Sequence, residues 1–184
     1  MTLTDKEKLQ TIIQKKGLIT GNTNTFELAS GDKSNFFFDM KMVSMDPEGS
    51  ELMAKVILDN IQNQDYEYIG GLESGSIPIA SVVANKSYGT KRPIPAFFVR
   101  KTSKGRGTNK AIEGNLSGNS KVIVVEDVTT KGESVLVAVK ALREMGCKVD
   151  KVITIVDRLS GAGELLDREG VELISIFTRD DFVV

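Results

Sequence analysis

From residue 68 onward, short apolar runs alternate with helical segments, and this alternation constrains the fold more than any other feature of the sequence. The spacing of apolar residues predicts helices over 77–86, 132–145 and 162–168. Runs rich in β-branched residues predict strands over 68–70, 94–99, 122–125, 151–156 and 172–177. Strands separated by helices of about ten residues are joined by crossover connections, so we expect an α/β fold with a mostly parallel central sheet flanked by helices.

The N-terminal region predicts a helix over residues 4–16, in which Thr4 and Glu7 form a capping box. A second helix is expected to begin after Asp46, a predicted N-cap residue. The sequence contains no internal repeat, low-complexity tract or linker. We therefore predict a single domain over residues 1–184.

Composition excludes several classes of chemistry. The 184-residue chain carries 24 Lys and Arg against 25 Asp and Glu, and its net charge of −1 gives no reason to predict a nucleic-acid or membrane partner. The chain has no histidine, which removes Ser-His and Cys-His nucleophiles, imidazole bases and histidine metal ligands together. Cys147 is the single cysteine, so no intramolecular disulfide can form, and a reducing cytoplasm is the expected location.

The segment 122–134 combines a strand, two acids and a polar turn before a helix. Four β-branched residues run directly into Glu126 and Asp127, and Gly132 lies in the turn that follows. N–H groups of such a turn bind phosphate, and carboxylates at the strand end accept hydrogen bonds from sugar hydroxyls. The segment matches neither the Walker loop nor the dinucleotide fingerprint. A solvated turn is the alternative; we predict a site for a ligand that carries both a phosphate and a ribose.

A strongly basic segment follows the predicted strand at 94–99. Residues 100–110 contain two glycines, no acid and five cations: Arg100, Lys101, Lys104, Arg106 and Lys110. Taken alone, a solvated loop explains such a segment equally well. Its position at the same predicted sheet edge as the acidic pair favours a flexible loop that covers a polyanion, and pyrophosphate is the ligand we expect.

Two further stretches contain side chains suited to a flat, acidic ligand. Short strands are expected at 26–28 and 35–40, and the second holds three consecutive phenylalanines, which are more often core residues. On a strand, Phe37 points away from the side of its two neighbours, so at least one ring can face a crevice. Arg158 follows the strand at 151–156. It is either a solvated strand end or a bidentate partner for a carboxylate.

Together these stretches resemble the orotate phosphoribosyltransferases, a branch of the type I phosphoribosyltransferases. Residues 122–134 are similar to the family signature for phosphoribosyl pyrophosphate (PRPP), which by itself specifies only the superfamily. Residues 30–39, 100–107 and 156–158 resemble the base-binding hood, the catalytic loop and the late orotate contact, and in this order they specify the orotate branch. The resemblance implies the type I phosphoribosyltransferase fold, with residues 1–45 contributing a small N-terminal hood.

The resemblance implies transfer of ribose 5-phosphate from PRPP to N1 of orotate, which gives orotidine 5′-monophosphate and pyrophosphate in pyrimidine (UMP) biosynthesis. The implied catalytic residues are Arg100, Lys101, Lys104, Arg106 and Asp127. The implied PRPP contacts are the same four loop cations together with Glu126, Asp127, Val128, Thr129, Thr130, Lys131, Gly132, Glu133 and Ser134. The implied orotate contacts are Thr130, Arg158, Phe37 and Phe38.

The resemblance also implies a homodimer in which Arg100, Lys104 and Arg106 serve the neighbouring subunit, while Lys101 serves its own. Mg²⁺ is the implied cofactor, and it arrives with PRPP, held mainly by pyrophosphate and ribose oxygens rather than by the protein. No enzymic general base is required, because orotate presents an anionic nitrogen. The chain's task is then positioning and charge stabilisation, which suits a sequence without histidine.

Five positions depart from the family pattern. Arg106 occupies a position that is usually histidine, and Ala29 and Gly75 occupy positions that are lysine in many relatives. Lys131 and Glu133 replace residues that are usually small. We therefore expect activity with an altered affinity for PRPP.

Two other functions share part of this pattern. A purine phosphoribosyltransferase would carry the same acidic signature, but a purine has no carboxylate for Arg158 to bind. A PRPP-sensing regulator that binds RNA through the basic loop would need an extended basic face, which the near-neutral net charge argues against.

Overall fold

A computed structural model describes residues 2–21, 26–27, 33–101 and 111–184. The strands of its central sheet are β5 Tyr68–Leu72, β6 Ala96–Val99, β7 Ile112–Gly114, β8 Lys121–Thr129, β9 Lys148–Asp157 and β10 Glu172–Thr178. Their spatial order is β10-β9-β8-β5-β6-β7. All neighbours are parallel except β6 and β7, which pair antiparallel. This confirms the predicted α/β class and the mostly parallel sheet.

Helices cover both faces of the sheet. Their bounds are α1 Asp5–Ile12, α2 Lys41–Ser44, α3 Pro47–Ile61, α4 Ser76–Ser87, α5 Glu133–Glu144 and α6 Ala162–Arg168. Apolar side chains of α1, α3 and α4 share one buried cluster with Ile123 and Val125 of β8. Those of α5 and α6 share a second cluster with Val122 and Val124. Alternate residues of β8 therefore fill two cores, as expected for a strand buried on both sides.

The N-terminal region forms the small hood. The capping box of Thr4 and Glu7 is present, but α1 passes at Ile13 into a wider π-helical turn, Ile13–Gly17, so the predicted helix over 4–16 is not uniform. The hood strands are β1 Leu18–Thr20, β2 Phe26–Glu27, β3 Lys33–Ser34 and β4 Phe36–Phe38. They pair antiparallel as β1 with β4 and β2 with β3.

The hood packs on the far end of the chain through aromatic rings. The ring centre of Phe38 lies 5.2 Å from that of Phe182, and the ring centre of Phe182 lies 5.7 Å from that of Phe177 of β10. In both pairs the two rings are tilted relative to each other. Aromatic pairs of this geometry add about 0.5–1.5 kcal/mol each beyond their buried area. The hood is thereby fixed against the sheet at the end where β9 and β10 finish.

Cys147 is buried in the cluster between α5 and the sheet, with its Sγ 3.7 Å from the carbonyl oxygen of Ser117. Burial raises the pKa of this thiol. Within the described ranges, no helix is long and apolar enough to cross a membrane.

Candidate active site

The acidic pair lies inside β8, not after it as the sequence prediction placed it. The predicted strand ended at Val125, but the ladder with β9 continues through Glu126 opposite Thr154 and ends at Thr129 opposite Asp157. The reason is the length of β9, which extends to Asp157 and supplies pairing partners for the whole acidic segment. The main chain that carries the two carboxyl groups is therefore held in the sheet rather than in a turn.

Glu126 is almost fully buried, with 7 % of its surface exposed. Its Oε1 accepts the N–H of Asp127 at 3.2 Å. Burial is the main cause that raises the pKa of Glu126 well above its usual value, and the negative charge of Asp127 adds to it, while Lys101 acts in the opposite direction. The site thus contains a carboxyl group that holds a proton unusually well, beside a second acid.

Asp127 is half-buried, and its carboxylate lies directly against Gly75. A Cβ placed on Gly75 would come within 2.5 Å of Oδ2 of Asp127. The other oxygen, Oδ1, accepts the N–H of Val128 at 2.8 Å. Gly75 leaves the space that this carboxylate occupies. In the sequence, this position was notable only because many relatives have a lysine there.

One concave pocket follows the acidic pair. It is lined by Glu126, Val128, Thr129, Thr130, Lys131, Gly132, Glu133, Ser134 and Val135. Every residue predicted to contact PRPP between 128 and 134 therefore lies around this pocket. Gly132 has the left-handed φ of 83° that allows the turn, and α5 begins at the next residue. The first turn of a helix presents N–H groups with positive potential, which suits a phosphate.

Arg158 lies next to the same pocket. Its N–H donates to the carbonyl oxygen of Thr129 at 2.9 Å, so the residue after β9 is fixed to the end of β8. The residue is 5 % exposed, its Nη2 donates to Oγ of Ser34 at 2.9 Å, and its guanidinium carbon lies 4.3 Å from the ring centre of Phe36. Burial lowers the pKa of this guanidinium, which remains charged because arginine starts from so high a value.

Asp157 fixes the strand end that carries Arg158, and sequence reasoning missed it. Its Oδ1 accepts the hydroxyl of Thr129 at 3.3 Å and the N–H of Leu159 at 2.9 Å. Its Oδ2 accepts the hydroxyl of Ser175 at 3.4 Å. This buried carboxylate joins the ends of β8, β9 and β10, so it orients the main chain on both sides of Arg158.

The three phenylalanines of β4 alternate as predicted. Phe36 and Phe38 share one side, with ring centres 5.7 Å apart, whereas Phe37 lies 6.0 Å from Phe26 on the other. Phe38 is 3 % exposed and belongs to the core, and Phe36 is the ring beneath Arg158. Of the two phenylalanines predicted to contact orotate, only Phe37 is therefore a half-buried ring outside the core.

Two of the four predicted loop cations fall on described residues. Arg100 pairs with Glu113 of β7, with 2.9 Å between its Nη2 and Oε1, and lies 3.7 Å from Glu73. Lys101 is exposed, and its N–H donates to Oε1 of Glu73 at 2.9 Å. Lys104 and Arg106, like Lys110 and Ala29, lie outside the described residues.

The sequence motifs assign no role to four of the side chains around this site. They are Ser34, Glu73, Glu113 and Asp157. The last could have been found, because it stands directly between a buried strand and Arg158. The other three contact residues 13 to 124 positions away in the chain.

The fold and the site together define a phosphoribosyltransferase, and residues 46–180 match the phosphoribosyl transferase domain family. The orotate phosphoribosyltransferase of Methanocaldococcus jannaschii is 44% identical over 176 residues, which covers 94% of both chains. That of Aquifex aeolicus is 40% identical over 183 residues and all of both chains. The crystal structure of Mycobacterium tuberculosis orotate phosphoribosyltransferase in complex with PRPP has a TM-score of 0.79 at 30% identity, covering 97% of this chain and 98% of that one.

The chain therefore belongs to the orotate phosphoribosyltransferases. This confirms the family that the sequence motifs predicted, its fold and its class of enzyme, a pentosyltransferase.

Proposed function

We propose that the protein transfers ribose 5-phosphate from PRPP to N1 of orotate, which yields orotidine 5′-monophosphate and pyrophosphate in UMP biosynthesis. The observation that carries this proposal is the 2.9 Å hydrogen bond from the Arg158 N–H to the Thr129 carbonyl oxygen. It supports the proposal because it joins the main chain of Arg158, whose guanidinium is buried, to Thr129 in the lining of the pocket. A pair of substrates that carries a phosphate at one end and a carboxylate at the other fits both. The PRPP complex of the Mycobacterium tuberculosis relative supports the first substrate.

PRPP is proposed to lie along the end of β8. Residues 128–134 surround its 5-phosphate, with the first turn of α5 supplying N–H donors. Glu126 and Asp127 accept hydrogen bonds from the ribose hydroxyls. Glu133 and Ser134 are both exposed, so the Glu133 carboxylate has room to point away from the phosphate into solvent.

Orotate is proposed to bind between this pocket and the hood. Arg158 takes its carboxylate through the N–H groups that Ser34 does not use, and Thr130 contacts the base from the pocket side. Phe37 is proposed to face the ring, with Phe38 supporting the hood from the core. A guanidinium held by stacking and by hydrogen bonds to Ser34 and to the Phe36 carbonyl oxygen loses little freedom when it binds a carboxylate.

The reaction is a displacement at the anomeric carbon. As the bond from C1 to the pyrophosphate oxygen breaks, the leaving group takes the electron pair, and the orotate nitrogen forms the new C1–N bond through an oxocarbenium-like transition state. Arg100, Lys101, Lys104 and Arg106 are proposed to stabilise charge on the leaving pyrophosphate, and Asp127 to stabilise the ribose. Orotate is proposed to react in the form whose N1 has already lost its proton to solvent, so no step needs an imidazole.

Mg²⁺ is the proposed cofactor. PRPP carries pyrophosphate and ribose oxygens, the hard ligands that this ion prefers, and the carboxylate oxygens of Asp127 lie at the same strand end. We propose that the ion arrives with PRPP and that substrate oxygens supply most of its ligands. When bound, it neutralises charge on the pyrophosphate.

The remaining proposals concern the whole protein. Residues 1–184 are proposed to form one domain, because the buried cluster that contains α1 also contains β8 and β9. The protein is proposed to act as a homodimer that shares its basic loops, and to work in the cytoplasm on the two small-molecule substrates.

The test is to mix the protein with orotate, PRPP and Mg²⁺ and to follow the absorbance of orotate. We expect a decrease that requires all three components and that is lost in Asp127→Asn. Unchanged orotate together with turnover of hypoxanthine or adenine would show that the base specificity is for purines and would refute the proposal.

A further inference from the structure

Glu73 lies in the turn between β5 and α4, and it contacts both residues that precede the segment 102–110. Its Oε1 accepts the N–H of Lys101 at 2.9 Å, and its Oε2 lies 3.7 Å from Nη1 of Arg100. Its own N–H donates to the carbonyl oxygen of Val99 at 2.8 Å. One residue therefore fixes three consecutive positions at the end of β6.

Glu113 of β7 holds Arg100 from the other side. Its Oε1 accepts the Nε–H of Arg100 at 3.0 Å and lies 2.9 Å from Nη2. The main-chain N–H of Arg100 donates to the carbonyl oxygen of Ala111 at 2.8 Å, and its guanidinium carbon lies 5.3 Å from the ring centre of Phe98. Arg100 is only 18% exposed as a result.

The same turn reaches the acidic pair. Gly75, two residues after Glu73, packs against the carboxylate of Asp127. Lys101 is close enough to Glu126 for its positive charge to lower the pKa of that carboxyl group. Glu73 therefore connects the residue that accommodates Asp127 with the two cations at the end of β6.

We propose that Glu73 and Glu113 are positioning residues for the pyrophosphate end of PRPP: before the substrate binds, both hold the Arg100 side chain, and Glu73 also holds the main chain at Lys101. This inference rests on the proposed function and extends it to two residues that do not touch the substrate. A long cationic side chain loses rotamer freedom when it binds a ligand, and this loss weakens the affinity. The Arg100 side chain is already held, so it avoids part of this loss.

The direction in which PRPP affinity changes when these carboxylates are removed distinguishes positioning from simple electrostatics. Two carboxylates close to a polyanion repel it, so Coulomb's law alone predicts that their removal strengthens PRPP binding. Positioning predicts the opposite, because the cations become free to move. The net change in PRPP affinity therefore decides between the two effects.

The experiment measures the Kd of Mg²⁺–PRPP by calorimetry, and the KM values of both substrates, for Glu73→Ala, Glu73→Gln and Glu113→Gln. Glutamine keeps an oxygen for the Lys101 N–H but removes the charge that pairs with Arg100. We expect a PRPP Kd and KM about 10-fold higher in Glu73→Ala and about 3-fold higher in the two glutamine variants. The KM for orotate should stay unchanged, since Arg158 lies on the other side of β8.

Glu67 supplies a matched control. Its Oε1 accepts the N–H of Lys121 at 2.8 Å, which is the same kind of bond at the opposite end of β5. Glu67→Ala should leave the PRPP Kd unchanged, with a melting temperature close to that of Glu73→Ala. If the Glu73→Ala variant does not fold, the PRPP Kd values of Glu73→Gln and Glu113→Gln still test the inference.

Unchanged or tighter PRPP binding in the Glu73 and Glu113 variants would overturn the inference, and so would an equal loss in Glu67→Ala. A different result would refute the proposed function. If the wild-type protein binds PRPP but does not consume orotate, orotate is not its substrate, and the comparison of PRPP Kd values among the variants still tests the inference. A wild-type protein that binds no PRPP refutes both.

Discussion

Gly75 shows how one residue can matter through the space that it leaves. The Asp127 carboxylate occupies the space that a Cβ at position 75 would fill. The absence of a side chain at 75 therefore allows Asp127 to lie where it does. The altered PRPP affinity expected from the sequence stays a prediction.

We predict that Gly75→Ala lowers kcat/KM by about 10²-fold, because the new Cβ would displace the Asp127 carboxylate and misplacement of a catalytic group by about 1 Å costs that much. Gly89→Ala is the matched control, since no heavy atom lies within 4 Å of a Cβ at that position. Steady-state kinetics of both variants provide the measurement. Equal activity in the two would show that Asp127 tolerates the displacement.

Glu126 should make stability depend on pH in a defined direction. Its pKa is raised above the usual 4.5 by burial, followed by the charge of Asp127. The folded protein therefore holds this proton more tightly than the unfolded chain does. The stability that the protonated group contributes is present below the unfolded pKa and is lost as the pH rises towards the folded one.

Glu126→Gln removes this titration, so the variant should melt at a higher temperature than the wild type, with a difference that grows as the pH rises above the usual carboxyl pKa of 4.5. Glu144→Gln, at an exposed acid at the end of α5, should follow the wild type at each pH. Thermal denaturation monitored by circular dichroism gives the measurement. A difference that is constant or shrinks with pH would contradict the assignment of a raised pKa.

Residue-scale contacts are also where the sequence was least informative. The motifs located Arg158, but the side chain that orients it, Ser34, is 124 positions away. Glu73 and Glu113 meet Arg100 only after β5, β6 and β7 have come together. Such pairs depend on tertiary packing, and no local spacing or composition encodes them.

At the scale of elements, the sequence predicted which helices and strands exist better than it predicted where they begin and end. The helix over 162–168 and the Asp46 cap are as expected. Strand β8 is longer than its apolar run, because β9 pairs with its acidic end as well. Strands β1, β3 and β7 were not predicted, since two or three residues are too few to show a periodic pattern.

The turn between β8 and α5 carries a prediction of its own. Gly132 has a φ of 83°, and a Cβ there would meet Cα of Ala162 at 3.2 Å. Gly132→Ala should therefore cost about 1–2 kcal/mol of unfolding free energy and weaken PRPP binding. Gly163→Ala, in the first turn of α6 and facing open space, should instead stabilise by up to about 1 kcal/mol.

Urea denaturation of the two variants tests this contrast, because the same chemical change should act with opposite signs. A shift in the same direction for both would show that the left-handed conformation at 132 is not required by the fold.

For the molecule as a whole, the parallel topology brings the site together. Strands β8 and β9 end side by side, so residues 126–134 and Arg158 meet although they come from different motifs. This convergence could be predicted from the sequence, since crossover connections place the carboxyl ends of parallel strands at one edge. The seating of the hood could not, because it depends on the rings of Phe38, Phe177 and Phe182.

The proposed homodimer leads to a test by mixing. Lys104→Ala and Asp127→Asn should each be inactive alone. When subunits exchange at random, half of the dimers are mixed and each holds one intact site, so about a quarter of the wild-type activity should return. Absence of recovery, with subunit exchange demonstrated by differently tagged chains, would argue against a loop shared between subunits.

The single thiol has a practical consequence. Because Cys147 is buried and its pKa is raised, maleimide dyes should react with it slowly in the native protein. A cysteine introduced at the exposed Ala111 would then be labelled selectively without prior removal of the native thiol. A fluorophore at that position, two residues before Glu113, would report binding of PRPP in real time, and a donor–acceptor pair on two subunits would report their association.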